Sequence, residues 1–409
     1  MRSLLLKSHL RSAADAYRQR GLWLSQAVVD ADALDRLEQR LQLHLGALVE
    51  ATRYTGPEPE KPHEAFLKAA LVSLRCDSAA SAETWLDPLR AGGAMAEAAF
   101  EAYALYPPAN PGDIFMPLYE TESALRAPLL RLWQRTQTPL AEGLLNAAER
   151  QNEDAALKAA ALHYAAENAA TGVEPFRAYY LPLRQDASHA ERLPVTVLEA
   201  ACWGGFLRGD PELDVCLPRA VEALGPEAGK PLLRLLALQG APESAEILRQ
   251  CVAGDPPFAM YLMGLYGHTS IKADLIAGMA KAESTEQAAA AWHWITGATP
   301  ARKQRLAVVD ADPAAQPADS GEVPDPDVVA ETWPEAAGAA RLLAGQPLSA
   351  ASAQRTANAY AGRAGHDALA LLARERTTPL GLDPEGWIAR RRRRLQETAA
   401  DIGKEAQHA

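Results

Sequence analysis

The strongest constraint in this chain is a unit that recurs with a glycine in the same place. Phe206-Leu207-Arg208-Gly209-Asp210-Pro211 returns 31 residues later as Ala237-Leu238-Gln239-Gly240-Ala241-Pro242. The match continues through Leu217 against Leu248 and Val221 against Val252. A third copy, offset by another 27 residues, aligns Leu265-Tyr266-Gly267, and Leu275 and Met279 then fall on the shared apolar positions. Each unit reads as helix, glycine turn, helix. Glycine closes the first helix because the residue after a helix end commonly adopts a left-handed conformation that costs glycine nothing. The shared leucines pack between units, since a lone hairpin cannot bury both of its faces.

The rest of the chain carries the same helical punctuation. Leu34, Leu37, Leu41, Leu45 and Leu48 are spaced by three and four residues, the stripe of one helical face. Asp32 is the expected N-cap of that helix, and a preceding helix from Leu10 to Trp23 completes a hairpin closed by the turn residues from Gly56 to Pro62. Short helices follow over 63–76, 82–90, Gly93 to Tyr106, 125–133, 140–150 and 155–170, with no period-two alternation between them. Ile295-Thr296-Gly297 ends the last clear unit. A Pro-, Ala- and Asp-rich stretch over 310–327 reads as an extended linker, and helical pattern resumes near Val328, from Ser352 to Arg374 and from Glu385. The expected fold is all-α: an N-terminal helical hairpin (1–56), an α-solenoid of helical hairpins (57–300), a linker (301–329) and a C-terminal helical segment (330–409).

Composition narrows the function classes. Alanine and leucine dominate a chain that is 48% hydrophobic and only 6% aromatic, which favours helices over a β-sandwich or barrel. With 41 Lys+Arg against 52 Asp+Glu the net charge is −11, which disfavours general nucleic-acid binding. Cys76, Cys202, Cys216 and Cys251 form no CxxC pair and read as buried thiols of a reducing compartment. The N-terminal Leu4-Leu5-Leu6 run is too short for a secretory signal, and no apolar segment is long enough to span a membrane. A cytoplasmic protein is expected.

No catalytic motif stands out. GxSxG, HExxH, GxxxxGK[ST] and a strand-borne GxGxxG are all missing, so no catalytic residue, cofactor or metal is expected. His9, His44 and His63 could be drawn as a cluster, but a histidine beside Leu43 and Leu45 is more often part of a helix face. His293 stands between Trp292 and Trp294, where packing at the end of the array outweighs a binding role. The candidates are therefore contact residues. Tyr179, Tyr180 and Arg184 combine residue types enriched at binding hot spots, against the alternative that the tyrosines pack a helix ending at Pro182. Tyr266 and His268 flank the third repeat glycine and so project from a turn. Arg391 and Arg392 belong to the run Arg390–Arg394, which is either a solvated helix face or a patch for an acidic protein surface.

Several stretches also carry a family resemblance. Leu34-Asp35-Arg36-Leu37-Glu38-Gln39-Arg40-Leu41, His44-Leu45-Gly46-Ala47-Leu48, Trp294-Ile295-Thr296-Gly297 and Leu342-Leu343-Ala344-Gly345-Gln346-Pro347-Leu348-Ser349 lie in the order found in one family. The helix Ala368–Leu372 and the arginine-rich end follow. The chain resembles an uncharacterised proteobacterial family of HEAT-like helical-repeat proteins, often encoded among type VI secretion genes. The resemblance implies a HEAT-like solenoid and an accessory role in effector delivery. The expected function is a non-enzymatic scaffold, adaptor or chaperone whose partner is a secreted effector or a delivery component. An immunity-type protein that neutralises a toxin, and an enzyme with an unrecognised site, are the alternatives. Oligomeric state is not specified by the sequence.

Overall fold

The computed structural model describes the chain outside residues 1, 52–58, 76–81, 90–91, 141–153, 169, 305–320, 334–340 and 398–409. Cys76 and the helix expected over 140–150 fall on those positions, apart from Leu140 itself. The described chain is mostly helical, and the strands it contains are two or three residues long.

Arg2–Leu24 and Ala31–Glu50 pack as an antiparallel pair, and the leucine stripe of the second helix is buried. Two sequence expectations are corrected here. The N-cap is Asp30, whose carboxylate accepts from the Ala33 N–H, and Asp32 lies inside the first turn, where it pairs with Arg392. The hairpin is closed by residues 25–30 between the two helices, not by the Gly56–Pro62 turn, because 31–50 runs on unbroken.

Five helices then stand side by side, each packed against the next: Ala155–Glu167, Val195–Leu207, Lys230–Gln239, Pro256–Tyr266 and Thr285–Thr296. From the second onward, each of the next three is followed by a return helix: Leu213–Ala228, Ser244–Gln250 and Lys272–Met279. The expected glycines sit where the row helices end. Gly209, Gly240, Gly267 and Gly297 all have positive φ, between 62° and 71°.

What repeat spacing did not reveal is that the chain after Gly297 turns back along those same ends. The Leu342 N–H donates to the Gly267 carbonyl at 2.8 Å, and the Ala344 and Gly345 N–H groups donate to Trp294 and Ile295 at 2.8 Å each. A Cβ at Gly267 would stand 2.8 Å from the Leu342 oxygen, and one at Gly297 would stand 2.9 Å from the Ala344 oxygen. At Gly240 a Cβ would fall inside the Arg341 guanidinium, and at Gly209 it would lie 2.6 Å from Arg374 Nη1. These glycines therefore meet two demands: left-handed backbone, and room for the C-terminal segment.

Arg341 is the anchor. Its buried guanidinium donates to the carbonyls of Leu238, Gln239, Leu265 and Tyr266 at 2.9–3.2 Å, and to Ala237 at 3.4 Å, so it caps two adjacent helices at once. Those carbonyls have no intrahelical partner, and the helix dipole concentrates negative charge on them. Among the described residues no carboxylate pairs with Arg341, and burial pulls its pKa down to about 10, which still leaves it charged at neutral pH.

Beyond the staple, Ala350–Ala359 and Gly362–Arg376 cross back over the row and reach the N-terminal pair. The helix expected over Ser352–Arg374 is thus two helices, broken where Tyr360 and Ala361 pair antiparallel with Asp30 and Val29. Farther on, Glu38 accepts from the Ile388 N–H at 2.8 Å, and the Trp387 indole donates to Leu105 at 2.9 Å. Part of the expected linker is also ordered: 302–304 pairs with 322–324, and Pro326–Glu331 is helical.

The staple yields a testable coupling. Gly240→Ala should cost about 3 kcal/mol, roughly 1 of it from left-handed alanine and the remainder from displacing Arg341. In an Arg341→Met background the same glycine change should cost only ~1 kcal/mol. Urea unfolding of the four proteins measures the cycle, and additive losses would contradict the shared contact.

Candidate functional site

A cavity lies between the last two row helices, the loop after Arg2–Leu24 and the returning helix Gly362–Arg376. Its volume is about 310 Å³. Phe258, Tyr261 and Trp294 form aromatic walls, and Gly264, Ala290 and Ala291 form the floor. The floor is shallow because two helices touch there: a Cβ at Gly264 would sit 3.0 Å from that of Ala291. Asp255 starts the Pro256–Tyr266 helix by accepting from the Phe258 N–H at 3.1 Å, and it pairs with Lys230 at 2.8 Å. Lys230 also lies over the Phe258 ring, 4.5 Å from its centroid. The aromatic wall is thus held from its N-cap.

Asp367 supplies the polar feature of this cavity. It is 1% exposed, in an alanine- and leucine-rich helix, and three donors saturate it. Arg234 donates Nε at 2.9 Å and Nη2 at 2.5 Å to Oδ1, and Tyr261 donates to Oδ2 at 3.0 Å. Burial, reinforced by the Asp367 carboxylate, pushes the Tyr261 phenol well above its ordinary range. Such a phenol stays protonated and holds its hydrogen bond. The triad positions the aromatic wall and has no free acid or base to offer.

Arg363 is the complementary case. It is exposed at the cavity mouth, its guanidinium 5.5 Å from the Tyr261 ring centroid, with no carboxylate partner among the described residues. A ring face orients the guanidinium and leaves its N–H fork available. The cavity therefore offers an apolar socket beside one cation.

The contact residues expected from sequence lie elsewhere, and none lines this cavity. Tyr180 is fully buried and donates to Asp210, which Arg177 grips through two bonds of 2.8 Å. It is a packing residue, because its hydroxyl is needed inside that network. Tyr179 is half-buried, with Lys158 over its ring, and Arg184 is exposed and paired with Glu212 at 2.9 Å. Tyr266 does not project from its turn. It is 1% exposed and stacks on half-buried His268, which accepts from the Ser270 N–H beside the Arg341 staple. Arg391 is likewise buried, donating to the carbonyls of Ala357 and Tyr360 at the end of Ala350–Ala359. Arg392 binds the Asn358 carbonyl at 2.9 Å and Asp32 at 2.7 Å, so two of the five arginines of the expected basic patch are engaged by carbonyls within the chain. His9 and His44 approach to 3.0 Å between their Nδ1 atoms. His293 is 3.2 Å from the Tyr360 hydroxyl.

Among the described residues no group of three or more His, Cys, Asp or Glu side chains could hold a metal ion, and no helix is long and apolar enough to cross a membrane. Cys202, Cys216 and Cys251 are buried free thiols, and burial raises the pKa of each. Neither a protein-family model, nor a curated protein, nor a solved structure matches the chain.

Sequence reasoning passed over Phe258, Tyr261, Arg363 and Asp367. The available signal was Asp367, a carboxylate inside the apolar run from Ala364 to Ala373. Asp367→Ala should lower the unfolding free energy by about 3 kcal/mol, because it strands the Arg234 charge. Tyr261→Phe should cost only ~1 kcal/mol. Urea denaturation compares the two, and equal losses would show that the ion pair does not organise the wall.

Proposed function

We propose that this is a non-enzymatic protein-binding protein of the cytoplasm, built as a HEAT-like solenoid, and that the Phe258–Trp294 cavity is where it holds a partner. The row of hairpins with left-handed glycines supports the solenoid reading, which matches the family resemblance. The partner class carried by that resemblance is a secreted effector or a component of its delivery machinery.

One observation carries the binding reading: an aromatic socket stands beside Arg363, a cation without a carboxylate partner among the described residues, while the buried acid of the socket is already held by Arg234 and Tyr261. Such a site complements a segment that presents a large apolar side chain next to Asp or Glu. The chain's net charge of −11 does not oppose this at short range. Screening reduces exposed charges to local influence beyond roughly 8 Å at physiological salt, so Arg363 dominates its own surroundings. The self-saturated triad argues for binding over acid–base chemistry. Most of the row's glycine ends are covered by the chain's own C-terminal segment, so the site is a socket and not the whole inner surface.

Selection of a displayed peptide library on the full chain tests this. Enriched peptides should carry an aromatic or large aliphatic residue beside Asp or Glu. Arg363→Glu and Ala290→Trp should each weaken their binding at least tenfold, about 1.4 kcal/mol, with no loss of thermal stability. Peptides that bind both variants as well as the parent would refute the socket.

A further inference from the structure

A second cavity, about 190 Å³, lies on the other side of Arg234. It is enclosed by Glu167, Trp203 and Leu207 from the first two row helices, by His366 and Leu369 from the returning helix, and by Leu380 and Leu382 from the loop after it. Its volume is below the roughly 300–1,000 Å³ of sites for drug-sized ligands, so its occupant is small.

The polar groups of this cavity have uneven partners. Arg234 lines it, but its charge is met by Asp367. Arg208, near Glu167, gives its guanidinium to five backbone carbonyls. His163, also close by, pairs with Glu199 at 3.1 Å. Among the described residues the hydrogen-bond contact of Glu167 is a long one, from the Trp203 indole N–H at 3.4 Å. His366 Nε2 is shut off from bulk solvent and has no hydrogen-bond partner among the described residues. Burial lowers the His366 pKa, which favours the neutral ring, and the tautomer protonated on Nδ1 leaves Nε2 free to accept a hydrogen bond. Burial also raises the Glu167 pKa to about 7. With His366 in that tautomer the cavity presents its Nε2 as an acceptor with no donor among the described residues, and Glu167 as one with a single long contact, beside leucine side chains. Trp203 already packs beside Phe206, with ring centroids 5.7 Å apart, and the Arg234 guanidinium lies 5.9 Å from the Trp203 ring centroid.

We propose that this cavity is a binding site for a small primary ammonium with an apolar tail, whose N–H groups satisfy Glu167 and His366 Nε2 while the tail packs on Leu207, Leu369, Leu380 and Leu382. The ammonium supplies N–H donors and a charge opposite to that of the Glu167 carboxylate. A neutral alcohol of the same length could satisfy an acceptor but not the charge, and a carboxylate would face Glu167 with like charge. This site is independent of the Phe258–Trp294 socket, and it can fail or stand without it.

Calorimetric titration of the full chain with n-butylammonium, n-butanol and butyrate tests the assignment. At pH 8, butylammonium should bind in the millimolar range and at least tenfold more tightly than either matched probe. Below pH 7 its affinity should fall by up to tenfold per pH unit, because Glu167 must give up its proton to the buffer on binding. Glu167→Gln should abolish both the preference and the pH dependence, and Leu380→Trp, which fills the cavity from a loop, should abolish binding in a chain whose Glu167 is intact. Equal affinity for butanol, undiminished binding in Glu167→Gln, or no heat from butylammonium in the parent would each overturn the proposal.

A control reads the same carboxyl without ligand. A raised native pKa means the native state holds the proton more tightly, so Glu167 contributes stability below its unfolded pKa of roughly 4.3 that is lost as pH rises toward 7. The urea midpoint of Glu167→Gln relative to the parent should therefore rise across that window, and a constant difference would show that the carboxyl is not buried enough to hold the site.

Discussion

A single guanidinium closes this fold. Arg341 is inserted between the C-terminal ends of two adjacent helices and satisfies carbonyls from both, with no carboxylate paired to it among the described residues. Helix ends need such donors because their last carbonyls have no partner within the helix. The same solution recurs: Arg208 caps Ala155–Glu167, Arg126 binds the carbonyls of Tyr119 and Glu120, and Arg391 ends Ala350–Ala359. Several arginines of this acidic chain are structural caps, and others such as Arg177, Arg184 and Arg234 are paired with carboxylates.

From Arg341 the rest follows in order. The staple over Leu342–Gly345 holds the C-terminal segment against the glycine ends, and the segment then crosses the row of helices. That crossing places Arg363, His366 and Asp367 on one helix between two cavities. Arg234 separates the cavities and is neutralised by Asp367. Farther along, the buried Arg20 binds Glu38, Glu101 and the Glu385 carbonyl, which ties the first helix to the turn that precedes the helical residues 388–397. Both candidate sites exist because the chain folds back on itself.

Helices could be read from the sequence because their signals are local. The leucine stripe of 34–48 is buried as its spacing implies, and the left-handed glycines end the row helices. Register at single residues was harder. Asp30 and Asp32 are both competent caps, and only the backbone geometry chooses Asp30. The return of the C-terminal segment left no periodic trace, since it depends on contacts more than a hundred residues apart, such as Arg341 with the carbonyls of Ala237 and Leu238. Contact residues chosen by type failed for a related reason. Tyrosine and arginine are enriched at interfaces because they carry large apolar area with a polar end, and the same property suits them to buried networks such as Tyr180–Asp210.

The most direct measurement is native-state hydrogen exchange over residues 341–348, followed by mass spectrometry. The Leu342, Ala344 and Gly345 amides donate to Gly267, Trp294 and Ile295, so they should exchange as slowly as those of the two helices whose ends they cap, Pro256–Tyr266 and Thr285–Thr296. Exchange at the rate of an unstructured peptide, with those helices still protected, would mean that the segment does not close the row and that neither cavity is built as described.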